Sequence, residues 1–330
     1  MILNTTNILP TRTARAENFV RARFKTLPQL LEAHKAIERV HRTYGRKAKC
    51  MSITGFSFTG KTECCRSYLK RYTQQDTDTG TVTPVLYVRF FKKMKPSDIV
   101  TLLFDALGVS FSGKETDREL ALYKLLKRSG VTLVMCDEVQ HVLPEHGEKT
   151  VQQVADFFKT FLEKTNIPLV FVGLPKLERL FAEFPLSASL AKSSKANRTK
   201  HKEEDQLKHR AYVGYVFQPI AADSQEWDTL IEKYQKALPE DKKLFESKQM
   251  RKRLWLASHG RIGRLANLIE AALCDLEDDA LLSIEGLSDA YYYVATWEKT
   301  RAINPFDLNL SKPEWDTHRS RIEREMLRDD

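Results

Sequence analysis

Apolar residues gather along the chain in short, nearly unbroken runs: 48–54 (AKCMSIT), 84–90 (PVLYVRF), 131–136 (VTLVMC), 168–173 (PLVFVG) and 212–218 (YVGYVFQ). Runs of this length without polar alternation suit strands buried on both faces, and the helical stretches between them supply the crossovers that parallel neighbours require. The pattern predicts a three-layer α/β domain on a parallel sheet. Before it, Leu27, Leu30, Leu31, Ala33, Ile37 and Val40 recur at close to helical spacing and predict an amphipathic helix ending near Arg42. Beyond Ala221 the short runs stop. Helical patterns over 223–238, 245–258, 261–277 and 283–298 then predict a small all-helical domain.

The flanks differ from both. Residues 1–26 mix Pro, Thr and Arg without periodicity and read as an extended basic arm, leaving 27–220 as the α/β domain and 221–300 as the helical one. Residues 301–330 read as a charged tail, a linker with Pro305 and Pro313 leading to a short polar helix. Lys192–Arg210, with 7 Lys/Arg and 3 Asp/Glu, reads as a long loop. Tyr291–Tyr293 with Trp297 fall at helical spacing and are expected to pack a helix. No internal repeat is visible.

Composition narrows the class. The 330 residues are 42% hydrophobic, which excludes a disordered chain, and a chain of this size buries roughly three quarters of its unfolded surface without staples. The five cysteines lack a C-x-x-C pair, so neither a disulfide framework nor a zinc site is expected, and a reducing compartment fits. No run approaches the roughly 18 apolar residues of a membrane span, and the first residues lack the basic-then-apolar order of a secretory signal. A cytoplasmic protein without membrane contact is expected. Of the net charge of +9, residues 1–50 carry +8, from 11 Lys/Arg against 3 Asp/Glu, a footprint that points to nucleic acid.

The most specific feature is Gly55-Phe56-Ser57-Phe58-Thr59-Gly60-Lys61-Thr62, set between a predicted strand and a helix opening near Lys61. It matches G-x-x-x-x-G-K-[ST] in its required context. Backbone N–H groups of such a loop turn inward as an anion nest, and the helix N-terminus adds partial positive charge. Lys61 would neutralise β/γ-phosphates and Thr62 would offer a hydroxyl to Mg²⁺, with Ser57, Thr59 and Glu63 completing the segment that meets ATP. The run 131–136 ends in Asp137-Glu138: Asp137 is placed to hold Mg²⁺ through water and Glu138 to polarise an attacking water. His141 and His146 flank Glu145, but no second ligand cluster accompanies them and no metal site is expected there.

Together GFSFTGKT, the strand ending CDEVQHV, the strand ending FVGLP and the helical region opening Gly260-Arg261-Ile262-Gly263-Arg264-Leu265 resemble the TnsC/TniB branch of AAA+ ATPases over about residues 27–290. Length and basic arm are similar to TnsC proteins of Cascade-type CRISPR-associated transposons. The resemblance implies an AAA+ P-loop sheet domain followed by a helical lid. It also implies an ATPase that assembles as a hexamer- or heptamer-like ring, or a filament, around duplex DNA and recruits a transposase together with a target-recognition complex. Gly55, Gly60, Lys61 and Thr62 match Walker A; Asp137 and Glu138 match Walker B. A polar sensor is expected after the fourth strand, yet Val172-Gly173-Leu174-Pro175 offers none. The arginine finger is Arg210, with Arg198 second; the second sensor is Arg261 or Arg264, while Gly263 occupies a position where related ATPases often carry Arg.

Sequence-nonspecific DNA contacts are expected from Lys92, Lys93 and Lys95, on a turn after the second strand, and from Lys114 in a Gly-containing loop, each neutralised phosphate steepening the log–log salt dependence by about 0.9. Arg12, Arg15, Arg21 and Arg23 of the basic arm are then auxiliary contacts. The competing assignment is another DNA-associated P-loop ATPase, a replication initiator or helicase loader.

Overall fold

A computed structural model describes residues 14–22, 27–78, 80–92, 94–95, 97–110, 115–144, 147–181, 207–276, 280–296 and 303–327. The chain divides into two compact units: a sheet unit of residues 29–57 and 61–217, and a helical unit of residues 1–28, 58–60 and 218–329.

All five predicted runs form strands, each within two residues or so of its apolar limits: β1 (Cys50–Gly55), then, after a two-stranded insertion β2 (Gln75–Thr77) and β3 (Gly80–Val82), β4 (Val85–Arg89), β5 (Leu133–Asp137), β6 (Leu169–Val172) and β7 (Tyr215–Phe217). The sheet is parallel throughout, in the order β4-β5-β6-β1-β7. Every residue of β1, β5 and β6 is buried, as expected of inner strands covered on both faces. The outer strands β4 and β7 admit exposed residues, Arg89 and Val216 among them. The insertion β2–β3 is antiparallel and almost wholly exposed. It has no apolar face to betray it in the sequence.

The pleat sends alternate residues to opposite faces. Leu86, Val88, Val134, Cys136, Leu169 and Phe171 join one core with Leu103 and Phe104 of α4 (Asp98–Ala106), Leu122 and Leu126 of α5 (Glu115–Arg128), and Phe158 and Phe161 of α6 (Glu148–Thr165). Numbering the helices in chain order, α1 is Ala14–Ala22, α2 is Pro28–His41 and α3 is Lys61–Leu69. Helix α3 packs on β1 and β4, and His34 of α2 bonds the Cys64 carbonyl of α3 (3.1 Å), which makes the third layer.

The helical unit contains α7 (Gln225–Ala237), α8 (Lys242–Glu246), α9 (Lys248–Ser258), α10 (Ile262–Cys274), α11 (Ile284–Val294) and α12 (Lys312–Leu327). Two expectations need correction here. The segment read as an extended arm contains α1, a helix whose Ala16 and Phe19 are fully buried, with Phe19 edge-on to Tyr234 of α7. Arg15 is no free cation for DNA: it bonds the Asp241 carboxylate and the Ala280 carbonyl. Nor are residues 303–327 a detached tail. Buried Arg253 donates to the carbonyls of Pro305 (2.5 Å) and Asp307 (2.7 Å), while Phe306 and Ile322 are buried. Too few apolar residues fix these segments for periodicity to show. Tyr291 packs inward as expected, whereas Tyr292 and Tyr293 are half exposed; Trp297 lies outside the described residues.

Candidate active site

The loop between β1 and α3 is shaped by two glycines for different reasons. At Gly55 (φ +144°) a Cβ would lie 2.3 Å from the Phe217 carbonyl oxygen of β7, so both the torsion and the close strand approach demand glycine. At Gly60 (φ +103°) a Cβ would meet nothing within 4 Å, so the demand is torsional alone. Phe58 takes φ +67°, a left-handed conformation that costs a non-glycine residue about 1–2 kcal/mol. Lys61, first residue of α3, turns its ammonium back onto the Gly55 (2.7 Å) and Phe56 (2.5 Å) carbonyls at the loop. Ser57 is exposed, Thr59 buried and Glu63 half-buried in the first turn of α3.

At the carboxyl end of β5, Asp137 is buried, a placement that a carboxylate tolerates only with donors around it. It has three. Oδ2 accepts from Thr62 Oγ1 (2.8 Å) and Tyr87 OH (2.7 Å), and Oδ1 accepts from the Glu138 N–H (2.8 Å). The hydroxyl of Thr62 and the carboxylate of Asp137 thus meet beside the loop, two hard oxygen donors of the kind Mg²⁺ takes. The Tyr87 hydroxyl, half-buried and facing this carboxylate, has its pKa pushed well above the usual range, by burial first and the negative charge second. It stays a neutral donor.

Glu138 follows in the left-handed region (φ 59°, ψ 32°) with its side chain partly open to solvent. Its Oε2 accepts from the buried Gln140 amide and stands 3.7 Å from His141 Nε2; its Oε1 stands 3.7 Å from Arg89 at the end of β4. Gln140 Oε1 in turn accepts the Leu174 N–H (3.1 Å) in the turn after β6. Tyr87, Arg89 and Gln140 are absent from the sequence-based site. Tyr87 and Arg89 both sit in the apolar run 84–90, and Gln140 is marked in sequence only by its position two residues past Glu138.

Arg210, in a short helical turn Leu207–Arg210, pairs with Glu163 of α6 at 3.1 Å. Lys92 and Lys95 are exposed on a turn anchored by buried Phe90 and Met94. Lys93, Lys114, Arg198, Glu145 and His146 lie outside the described residues. Arg261 directly precedes α10, with no side-chain capping bond, and Arg264 is buried within it, both in the helical unit. In the same unit the Gly263 N–H donates to the Phe58 carbonyl (2.8 Å), and a Cβ at Gly263 would come within 3.0 Å of that oxygen. The close approach explains glycine where related ATPases often carry arginine.

A parallel sheet in this order, with a phosphate-type loop after β1 and Asp-Glu ending β5, is the AAA+ P-loop fold. Residues 43–181, somewhat under half the chain, match the family model described as an AAA domain. Among solved structures, the chain is similar to the Aeropyrum pernix Orc1 protein in complex with DNA: TM-score 0.53 and 16% identity, over 84% of this chain and 68% of that one. It is also similar to Cdc6p from Pyrobaculum aerophilum: TM-score 0.52 and 15% identity, over 81% of this chain and 67% of that one. At such identities the likeness is one of fold. No curated protein sequence matches the chain.

Proposed function

We propose that this chain is an ATP-hydrolysing AAA+ protein that assembles on duplex DNA and serves as a target-selecting adaptor for a transposase. The observation that carries the ATPase reading is the meeting of Thr62, Asp137 and Glu138 beside the Gly55–Lys61 loop. Backbone N–H groups of the loop and the α3 N-terminus bind the phosphates, and Lys61 neutralises their charge. Thr62 and Asp137 are the residues that would hold Mg²⁺, which would supply charge neutralisation to the phosphates. Glu138 orients and deprotonates the attacking water. Tyr87 and the Glu138 N–H, each donating to Asp137, keep its carboxylate aimed. Arg210 supplies the positive charge to a neighbouring subunit's nucleotide after leaving Glu163, and Arg261 or Arg264 is the second sensor.

DNA lies along exposed Lys92 and Lys95, joined by Lys93 and by Lys114 of the later Gly-containing loop, as phosphate contacts without base readout. The transposition role rests on the motif set GFSFTGKT, CDEVQHV, FVGLP and GRIGRL. The fold likeness to an Orc1 protein in complex with DNA favours a second reading, a replication initiator or helicase loader. The two diverge in their partners. ATP-dependent co-purification with a transposase and a target-recognition complex is expected on the first reading. Retention of a replicative helicase instead, with no transposase bound, would replace it by the second.

A further inference from the structure

The turn after β6, Val172-Gly173-Leu174-Pro175, has no polar side chain to offer the site, yet its backbone is tied to the site by one side chain from elsewhere. Gln140 is buried and bridges two groups: Oε1 accepts the Leu174 N–H (3.1 Å) and Nε2 donates to Glu138 Oε2. The amide can sit only one way round. A backbone N–H needs an acceptor and an ionised carboxylate needs a donor, so the two ends are fixed by chemistry. Glutamate at this position would lack the donor, leucine both groups, and asparagine one methylene of reach. Gly173 is shaped to the same contact, since a Cβ there would lie 2.3 Å from Gln140 Oε1. Glu138 itself occupies a left-handed backbone conformation that surrounding bonds must hold.

We propose that Gln140 is a positioning residue that fixes the Glu138 carboxylate for hydrolysis and couples it to the turn after β6, the polar function that the turn's own side chains lack. The inference rests on the reading of Glu138 as the catalytic base. Among the described residues Arg89 and His141 also stand 3.7 Å from that carboxylate, whereas the Leu174 N–H is met by Gln140.

The test uses the full chain with ATP, Mg²⁺ and duplex DNA, comparing wild type with Gln140→Leu, Gln140→Glu and Glu138→Gln. Steady-state hydrolysis, affinity for a fluorescent ATP analogue and backbone hydrogen exchange at Leu174 are read together. Gln140→Leu is expected to lower kcat about 10- to 100-fold, the loss of one hydrogen bond to a charged group, with KM and nucleotide affinity within about twofold of wild type. Leu174 exchange then accelerates. Gln140→Glu keeps the acceptor, and so the Leu174 protection, while losing kcat, which separates positioning from mere support of the turn. Either variant turning over within about twofold of wild type, while Glu138→Gln is stopped, would overturn the inference alone. A wild-type chain without turnover would overturn the hydrolysis reading and the inference with it.

Discussion

The two glycines of the phosphate loop separate torsional from steric demand, and Gly55→Ala against Gly60→Ala measures the difference. At Gly60 the new methyl meets nothing within 4 Å, so its cost is the torsion alone, about 1–3 kcal/mol for an L-residue in a glycine-only region. At Gly55 the same torsional cost is joined by a methyl 2.3 Å from the Phe217 carbonyl oxygen. Relief requires β7 to move away from β1 where the Gly55–Phe217 pairing ends the ladder, an overpacking cost of about 1–3 kcal/mol more. Against a domain stability of about 5–15 kcal/mol this is a large fraction. Urea unfolding of the two variants and wild type, read by far-ultraviolet circular dichroism, gives the two losses. Gly55→Ala is expected to be the less stable by about 1–3 kcal/mol. Equal losses, or a Gly60→Ala chain that is the less stable, would refute the claim that strand proximity specifies Gly55.

Three further outcomes follow from other bonds. His34 and His41 have pKa values lowered from 6.5, by burial first, with Arg71 adding to the effect at His34. The unfolded chain binds their protons more readily, so their contribution is present above about pH 6.5 and is lost as pH falls through the lower folded values. A thermal midpoint that declines from pH 7 to 5, with a flatter profile in a His34→Gln, His41→Gln chain, is expected; superimposable profiles would refute it. Tyr87→Phe removes one of the three donors to Asp137 and should cost about 1 kcal/mol, measurable by urea unfolding, with a weaker Mg²⁺ dependence of turnover. Arg15→Ala leaves the fully buried Asp241 carboxylate short of its cation and should destabilise the helical unit by about 3 kcal/mol, seen as faster proteolysis at residues 218–329. Wild-type proteolysis rates in that variant would return α1 to the status of a loose arm.

What was legible in the sequence divides along physical lines. Strands buried on both faces announce themselves as apolar runs, so β1, β4, β5, β6 and β7 were all visible, and the loop Gly55–Thr62 and the pair Asp137-Glu138 stand at strand ends where such motifs act. Elements without an apolar face were not. The exposed insertion β2–β3 carries only polar residues and one valine at its margin. Helix α1 hides two anchoring residues, Ala16 and Phe19, among arginines, and the 303–310 segment is held by Arg253 on its carbonyls, by Asn304 on Ser288 and by buried Phe306, contacts that leave no periodic trace in sequence. Within the site, motifs supplied the residues proposed to meet a nucleotide. Residues that orient those residues, Tyr87, Arg89 and Gln140, became visible only when β4, β5 and the turn after β6 were set side by side.

The central claim is that nucleotide held by the Gly55–Thr62 loop governs attachment to duplex DNA. Fluorescence anisotropy of a labelled, arbitrary-sequence duplex tests it, with a slowly hydrolysed ATP analogue and Mg²⁺, for wild type, Lys61→Ala and a Lys92→Glu, Lys95→Glu chain. Analogue-dependent binding is expected that tightens as salt falls, is lost in Lys61→Ala and is weakened on every sequence in the lysine variant. Wild-type binding that is absent, or that is the same with and without the analogue, would contradict it.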